Sequence, residues 1–147
     1  MARESALWDR IRDTAIPTLL AAGHKVDLQR LENLVGVGHP DVEGCIDAQQ
    51  VWVELKSEAR PKRKDTPIRP KLRTSQSEWH KTRASVGFRH NWVLLQVGSS
   101  RAARLYLLPG DRYDDIKAVT EAELTELSVV PPTAPVVDVL ARCVQGW

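Results

Sequence analysis

Cysteine is nearly missing from this chain: Cys45 and Cys143 are the only two, far apart and with no C-x-x-C spacing. That excludes a disulfide-stapled scaffold and a cysteine-ligated zinc module, and it suits a reduced, cytoplasmic setting. Also lacking is any run approaching the ~20 apolar residues that a membrane span needs. The stretch from Arg3 through Asp13 is charged and has no apolar signal-peptide core, so neither secretion nor membrane insertion is expected. No internal repeat or low-complexity tract is present. With 147 residues the chain is long enough for one domain with its own core and too short for two, so residues 1–147 read as a single domain. Net charge is small, +2 at pH 7, and by itself names no partner.

What the chain does have is an uneven distribution of that charge. From Lys56 to Arg89 there are eleven basic and three acidic side chains, a balance of +8; the remainder holds ten basic and sixteen acidic, a balance of −6. Arg60, Lys62, Arg63 and Lys64, followed by Arg69, Lys71 and Arg73, form a basic tract that would attract a polyanion through counterion release. A solvated loop or a targeting tract is the competing reading of such a run.

The tract lies directly after the most informative pattern in the sequence. Pro40-Asp41 is separated by twelve residues from Glu54-Leu55-Lys56. Gln50 to Lys56 alternates as a strand does, which predicts Val51, Val53 and Leu55 on a core face and Trp52, Glu54 and Lys56 together on the other. A carboxylate and an ammonium two residues apart on a strand are rigidly mounted. Gly44 and the stretch 47–50 supply turn residues that would bring Asp41 alongside Glu54 on an antiparallel neighbour. An exposed strand with an ordinary salt bridge is the bland alternative.

Around this pattern the elements follow in a readable order. Leu7, Ile11, Ala15 and Leu19 recur at helical spacing, with Trp8 widening the stripe, and Pro17 predicts a division into two short helices ending near Gly23. A strand is expected over 26–35, with a bulge near Leu31, and a second from Asp41. Ser75 and Glu78 have capping-box form, opening a helix on which Gln76, Trp79, Arg83 and Val86 share a face, closed by Gly87. Trp79 reads as core rather than as a base-stacking platform. Trp92 to Val97 is nearly all apolar and is expected to be buried on both faces, with Arg104 to Leu108 as the next strand. Helices are expected over 121–127 and 136–144.

The ordered residues Arg30-Leu31-Glu32-Asn33, Gly38-His39-Pro40-Asp41-Val42, Val53-Glu54-Leu55-Lys56, and Leu72-Arg73-x-x-Gln76-x-x-Trp79, with Gly87 before the strand Trp92 to Val97, resemble the PD-(D/E)XK nuclease superfamily. Within it, the chain is most similar to the small phage and bacterial virus-type replication-repair nucleases (VRR-NUC), relatives of the Holliday-junction resolvases. The resemblance covers residues 30–97 and leaves the C-terminal helical extension, about 112–147, unassigned. It implies an α/β restriction-endonuclease-like core, a mixed central sheet flanked by helices in the order α-β-β-β-α-β-β plus C-terminal helices.

It also implies an activity: Mg²⁺-dependent hydrolysis of phosphodiester bonds in branched or structured DNA, in recombination, repair or phage DNA processing, with Mn²⁺ able to substitute. Asp41, Glu54 and the Leu55 carbonyl would hold the hard cation, which prefers oxygen ligands. Glu32 or Glu4 would add a further carboxylate; Glu4, near a helix N-terminus, has the competing role of complementing the dipole. Lys56 would orient water and offset developing charge, and Gln76 would assist. Phosphate contacts fall to Arg60, Lys62, Arg63, Lys64, Arg69, Lys71, Arg73, Lys81 and Arg83. None of the four histidines has a ligand-spaced partner, so none is assigned to metal. Paired cuts in a four-way junction predict a homodimer; no organic cofactor and no membrane partner are expected. A non-catalytic DNA-binding or assembly protein that keeps the nuclease fold is the alternative, and the presence of Asp41, Glu54, Lys56 and Gln76 together weighs against it.

Overall fold

Among the described residues five strands form one mixed sheet whose spatial order follows the sequence: β1 (Val26–Arg30), β2 (Val42–Ile46), β3 (Gln49–Glu58), β4 (Asn91–Val97) and β5 (Arg104–Pro109). The computed structural model describes residues 2–31 and 38–147. β1, β2 and β3 are an antiparallel meander, β4 runs parallel to β3, and β5 returns antiparallel. A parallel neighbour requires a crossover, and α3 (Thr74–Ser85) supplies it. The helices are α1 (Ala2–Arg10), α2 (Ile16–Ala21), α3, α4 (Glu121–Leu127) and α5 (Val136–Cys143). This is the expected α/β architecture and element order.

Each sheet face has its own apolar core. Leu7, Ile11, Ala15 and Leu19 pack with Val51, Val53 and Leu55, and with Val139, Leu140 and Cys143 of α5. Val93, Leu95, Tyr106 and Leu108 pack on the other face with Ile68, Tyr113, Ile116, Val119 and Leu124. β4 is therefore buried along its whole length, as its apolar sequence predicts.

Several local expectations are corrected. Pro17 does not split the N-terminal helix: α1 runs through a π-helical segment, Ile11–Ala15, directly into α2, with the Ile16 N–H bonded to the Ile11 carbonyl. The wider turn sits just before the proline and absorbs its missing donor. β1 ends at Arg30 without a bulge, and the Leu31 N–H bonds the Asp41 carbonyl at 2.6 Å; the rest of the strand predicted to residue 35 lies outside the described residues. Gly44 is not a turn residue but sits inside β2, where a Cβ would fall 1.9 Å from the Asp27 carbonyl oxygen of β1. The turn is Asp47-Ala48, both with positive φ (49° and 70°), a two-residue hairpin loop.

On α3 the capping box does not form, because the helix starts two residues earlier than a Ser75 N-cap requires, with Arg73 as an N-cap that makes no side-chain bond. The box that does form is Thr120 with Glu123 at α4. Val86 is 76% exposed, Trp79 is only partly buried, and His80 is fully buried instead. The inward residues of α3 are Gln76, Ser77 and His80, a polar stripe that apolar periodicity cannot detect. A short 3₁₀ helix, Gly110–Ile116, follows β5 and was not anticipated. It comes close because Gly110 has no side chain: a Cβ there would lie 2.3 Å from Asn91 Nδ2 and 2.5 Å from His80 Nδ1.

Candidate active site

β3 outruns β2. The last ladder pair between them is Val42 with Val53, so from Glu54 onward β3 is paired only with β4 on its other side. Asp41, the residue just before β2, turns its carboxylate into this notch, where Oδ2 accepts the Leu55 N–H at 3.1 Å. The sequence thus brings Asp41 to Glu54 by ending one strand early, with the hairpin register fixed by the Asp47-Ala48 turn.

Trp52, Glu54 and Lys56 lie on the face opposite Val51, Val53 and Leu55, as the alternation predicts, but that face is not solvated. Glu54 is 2% and Lys56 8% exposed, which removes the reading of an exposed strand with an ordinary salt bridge. Lys56 Nζ lies 3.3 Å from Glu54 Oε2 and donates to the Lys71 carbonyl at 2.7 Å and to Gln76 Oε1 at 3.2 Å. Tyr113 donates its hydroxyl to the same Gln76 oxygen at 2.6 Å. Glu54 Oε1, by contrast, is buried with no hydrogen-bond partner among the described residues.

Burial, and then the adjacent charge of Asp41, pushes the Glu54 carboxyl up to about 8, with Lys56 opposing. Burial likewise raises Asp41, against the Leu55 N–H. Two carboxylates that both resist ionisation and one orphaned oxygen form a set that a hard cation would complete, so the donors present fit a divalent ion. Glu4 lines the same cavity and its charge bears on Asp41, yet among the described residues no three His, Cys, Asp or Glu side chains cluster closely enough to chelate an ion. Glu32 lies outside the described residues.

The cavity holding these groups is open, about 780 Å³ in volume, and its walls include Trp8, Arg12, Arg30, Lys71, Arg73 and Gln76. Trp8 and Arg12 escaped the sequence reading because they reach the cavity only through the packing of the N-terminal helical segment, and Arg30, there only a motif residue, enters it from the end of β1. Tyr113 escaped it for a similar reason: it arrives from a segment thirty-seven residues beyond Gln76.

The predicted phosphate-binding residues do not form one surface. Lys71 and Arg73 line the carboxylate cavity. Lys62, Arg63 and Lys64 are exposed beside a second cavity of about 680 Å³, shared with Arg60, Arg104 and Glu121. Arg69 is exposed between the two groups. Lys81 is paired with Asp114 at 2.7 Å, and Arg83 lies over the rings of Trp79 and Trp52 at 4.6 and 5.6 Å.

Arg60 is committed to the fold. It bonds Glu121 and the carbonyls of Ala102 and Val97, tying β3 to α4 and to the loop after β4. Arg60→Ala is therefore expected to lower Tm by several degrees, at about 1–3 kcal/mol for a lost charge-assisted network. A Tm within about 1 °C of wild type would instead leave Arg60 free of this structural role.

No protein-family model matches the chain, and no curated protein matches it. Among solved structures it is similar to Hjc of Archaeoglobus fulgidus, a Holliday junction resolvase from an archaeal hyperthermophile. The alignment covers 90% of this chain and 96% of that one, at 16% sequence identity and a TM-score of 0.47.

Proposed function

We propose that this protein is a metal-dependent endonuclease that hydrolyses phosphodiester bonds in DNA, acting on branched or otherwise structured substrates. The observation that carries the reading is the orphaned Glu54 Oε1, buried next to Asp41 and Lys56 in an open, cation-flanked cavity. A buried carboxylate oxygen left without a partner is costly and is retained where an ion or a reaction uses it.

Asp41 and Glu54, with the Leu55 carbonyl, would hold Mg²⁺ or Mn²⁺. When bound, such an ion supplies a Lewis acid and a water of lowered pKa. Lys71 and Arg73 would hold the phosphate backbone at the cavity wall, and Lys56, fixed by three contacts, would place a positive charge against the oxyanion that develops as water adds to phosphorus. Gln76 would present its amide to the same space. Preference for branched DNA, and action in recombination, repair or phage DNA processing, rests on the resemblance of the ordered motifs, since geometry of this kind does not fix a substrate. Two symmetric cuts in a four-way junction would require two such sites, hence a homodimer.

The test compares wild type and Asp41→Ala on single-stranded, duplex, flapped and four-way-junction DNA, with Mg²⁺, Mn²⁺ or chelator. Wild type should cleave at least one structured substrate only with metal, and Asp41→Ala should be slower by about 1000-fold. Metal-dependent cleavage by neither protein, or equal cleavage by both, would sink the proposal; tight binding without cutting would select the non-catalytic alternative.

A further inference from the structure

We infer that Tyr113 is a positioning residue for the proposed nuclease site, acting through Gln76 to fix which end of its amide faces the carboxylates. The inference rests on that functional reading and adds to it a residue from the C-terminal extension.

A buried polar chain carries the argument. The Arg73 N–H donates to the Tyr113 hydroxyl at 2.9 Å. With that contact occupying the oxygen as acceptor, the phenolic proton goes to Gln76 Oε1 at 2.6 Å. Lys56 Nζ, which can only donate, reaches the same oxygen at 3.2 Å. Two donors converging on Oε1 leave one orientation for the amide: Nε2 and its protons point away from them, and the Gln76 side chain favours the charged form of Glu54. A flipped amide would set its NH₂ against the Lys56 ammonium and leave the Tyr113 phenolic proton without its acceptor. Tyr113 thus selects the donor end of Gln76 for the side on which anionic ligands gather.

The phenol itself is held firmly. Tyr113 is 2% exposed, its ring stacks on His80 at 5.5 Å, and Lys56 lies 5.7 Å from its centroid. Burial pushes the hydroxyl up to about 12, so it remains a neutral donor throughout the working range. The same hydroxyl anchors the backbone at Arg73, next to the Lys71 carbonyl that Lys56 also bonds. One side chain therefore sets both the amide and the loop that brings Lys71 and Arg73 to the cavity.

Tyr113→Phe removes only the hydroxyl and keeps the ring contacts. Single-turnover cleavage of a four-way junction at saturating Mg²⁺ is compared for wild type, Tyr113→Phe, Gln76→Ala and the double variant. Tyr113→Phe should lose about 10-fold or more in rate with the half-saturating DNA concentration unchanged, and in the Gln76→Ala background it should cost less than about twofold. Activity of Tyr113→Phe within twofold of wild type, or a loss that adds in full to that of Gln76→Ala, would overturn the assignment.

If wild type cleaves nothing, the nuclease reading has failed, and the positioning claim is then decided by the Gln76 side-chain amide signals in ¹⁵N-labelled protein. Two sharp, slowly exchanging protons that broaden or shift in Tyr113→Phe support it; unchanged signals overturn it.

Discussion

Glu54→Gln is expected to abolish metal-dependent cleavage and at the same time to stabilise the metal-free protein at pH 8–9. The two effects share a cause. Glu54 is held at about 8 in the fold by burial and by Asp41, against an ordinary 4.5. Between these values the unfolded chain has released the proton and the folded chain keeps it. Stability contributed by the neutral form is therefore complete below about pH 4.5 and is lost as pH rises towards 8. At about 1.4 kcal/mol per pH unit the loss amounts to several kcal/mol.

Glutamine has nearly the same shape and cannot ionise, so in chelator the variant should keep the Tm that wild type loses, a gap of roughly 10 °C at pH 9. Mg²⁺ should narrow the gap by stabilising wild type more than the variant, which keeps Asp41 but lacks the second carboxylate. Thermal melts from pH 4 to 9, with and without metal, check this; parallel curves for the two proteins would mean that Glu54 is not the buried, destabilised acid described here.

A second large effect is expected in acid, from His80. The ring is fully buried, Nδ1 receives the Asn91 amide at 3.0 Å, and Nε2 has no partner among the described residues. Protonation would turn Nδ1 into a donor facing another donor. Burial, reinforced by Lys56, holds the ring down to about 4 from an ordinary 6.5. For a histidine lowered in this way, stability is complete above pH 6.5 and is lost as pH falls through 4, on the order of 3 kcal/mol. Glu54 gains stability over much of the same interval, so wild type should show a flat region between about pH 4.5 and 6.5. In Glu54→Gln the loss should stand bare, and adding His80→Asn should remove most of it. A Glu54→Gln protein whose stability is level from pH 7 to 4 would refute the role given to His80.

These effects have a structural origin that also explains why α3 was harder to read than the strands. The helix covering the proposed site buries an amide, a hydroxyl and an imidazole rather than leucines. Its signal in the sequence is therefore weak, and Val86 and Trp79 looked more central than they are. The strands were legible because Val51, Val53 and Leu55 alternate against a core that accepts nothing polar. Arg60 shows the limit of reading charge by density: within one basic tract, it is held by Glu121, while Lys71 and Arg73 line the cavity. Density cannot tell a staple from a contact, since the difference lies in which acid arrives from elsewhere.

The sequence by itself determined the mixed α/β order, the two-faced burial of β4, and the placing of Glu54 and Lys56 on one side of β3, because local periodicity fixes which face a side chain takes. Only the tertiary structure decided that this side is buried, that β2 stops short and lets Asp41 meet Leu55 and Glu54, and that Tyr113 closes the network around Gln76. Those outcomes depend on contacts between segments far apart in the chain. No local pattern encodes them; they follow from how the layers pack.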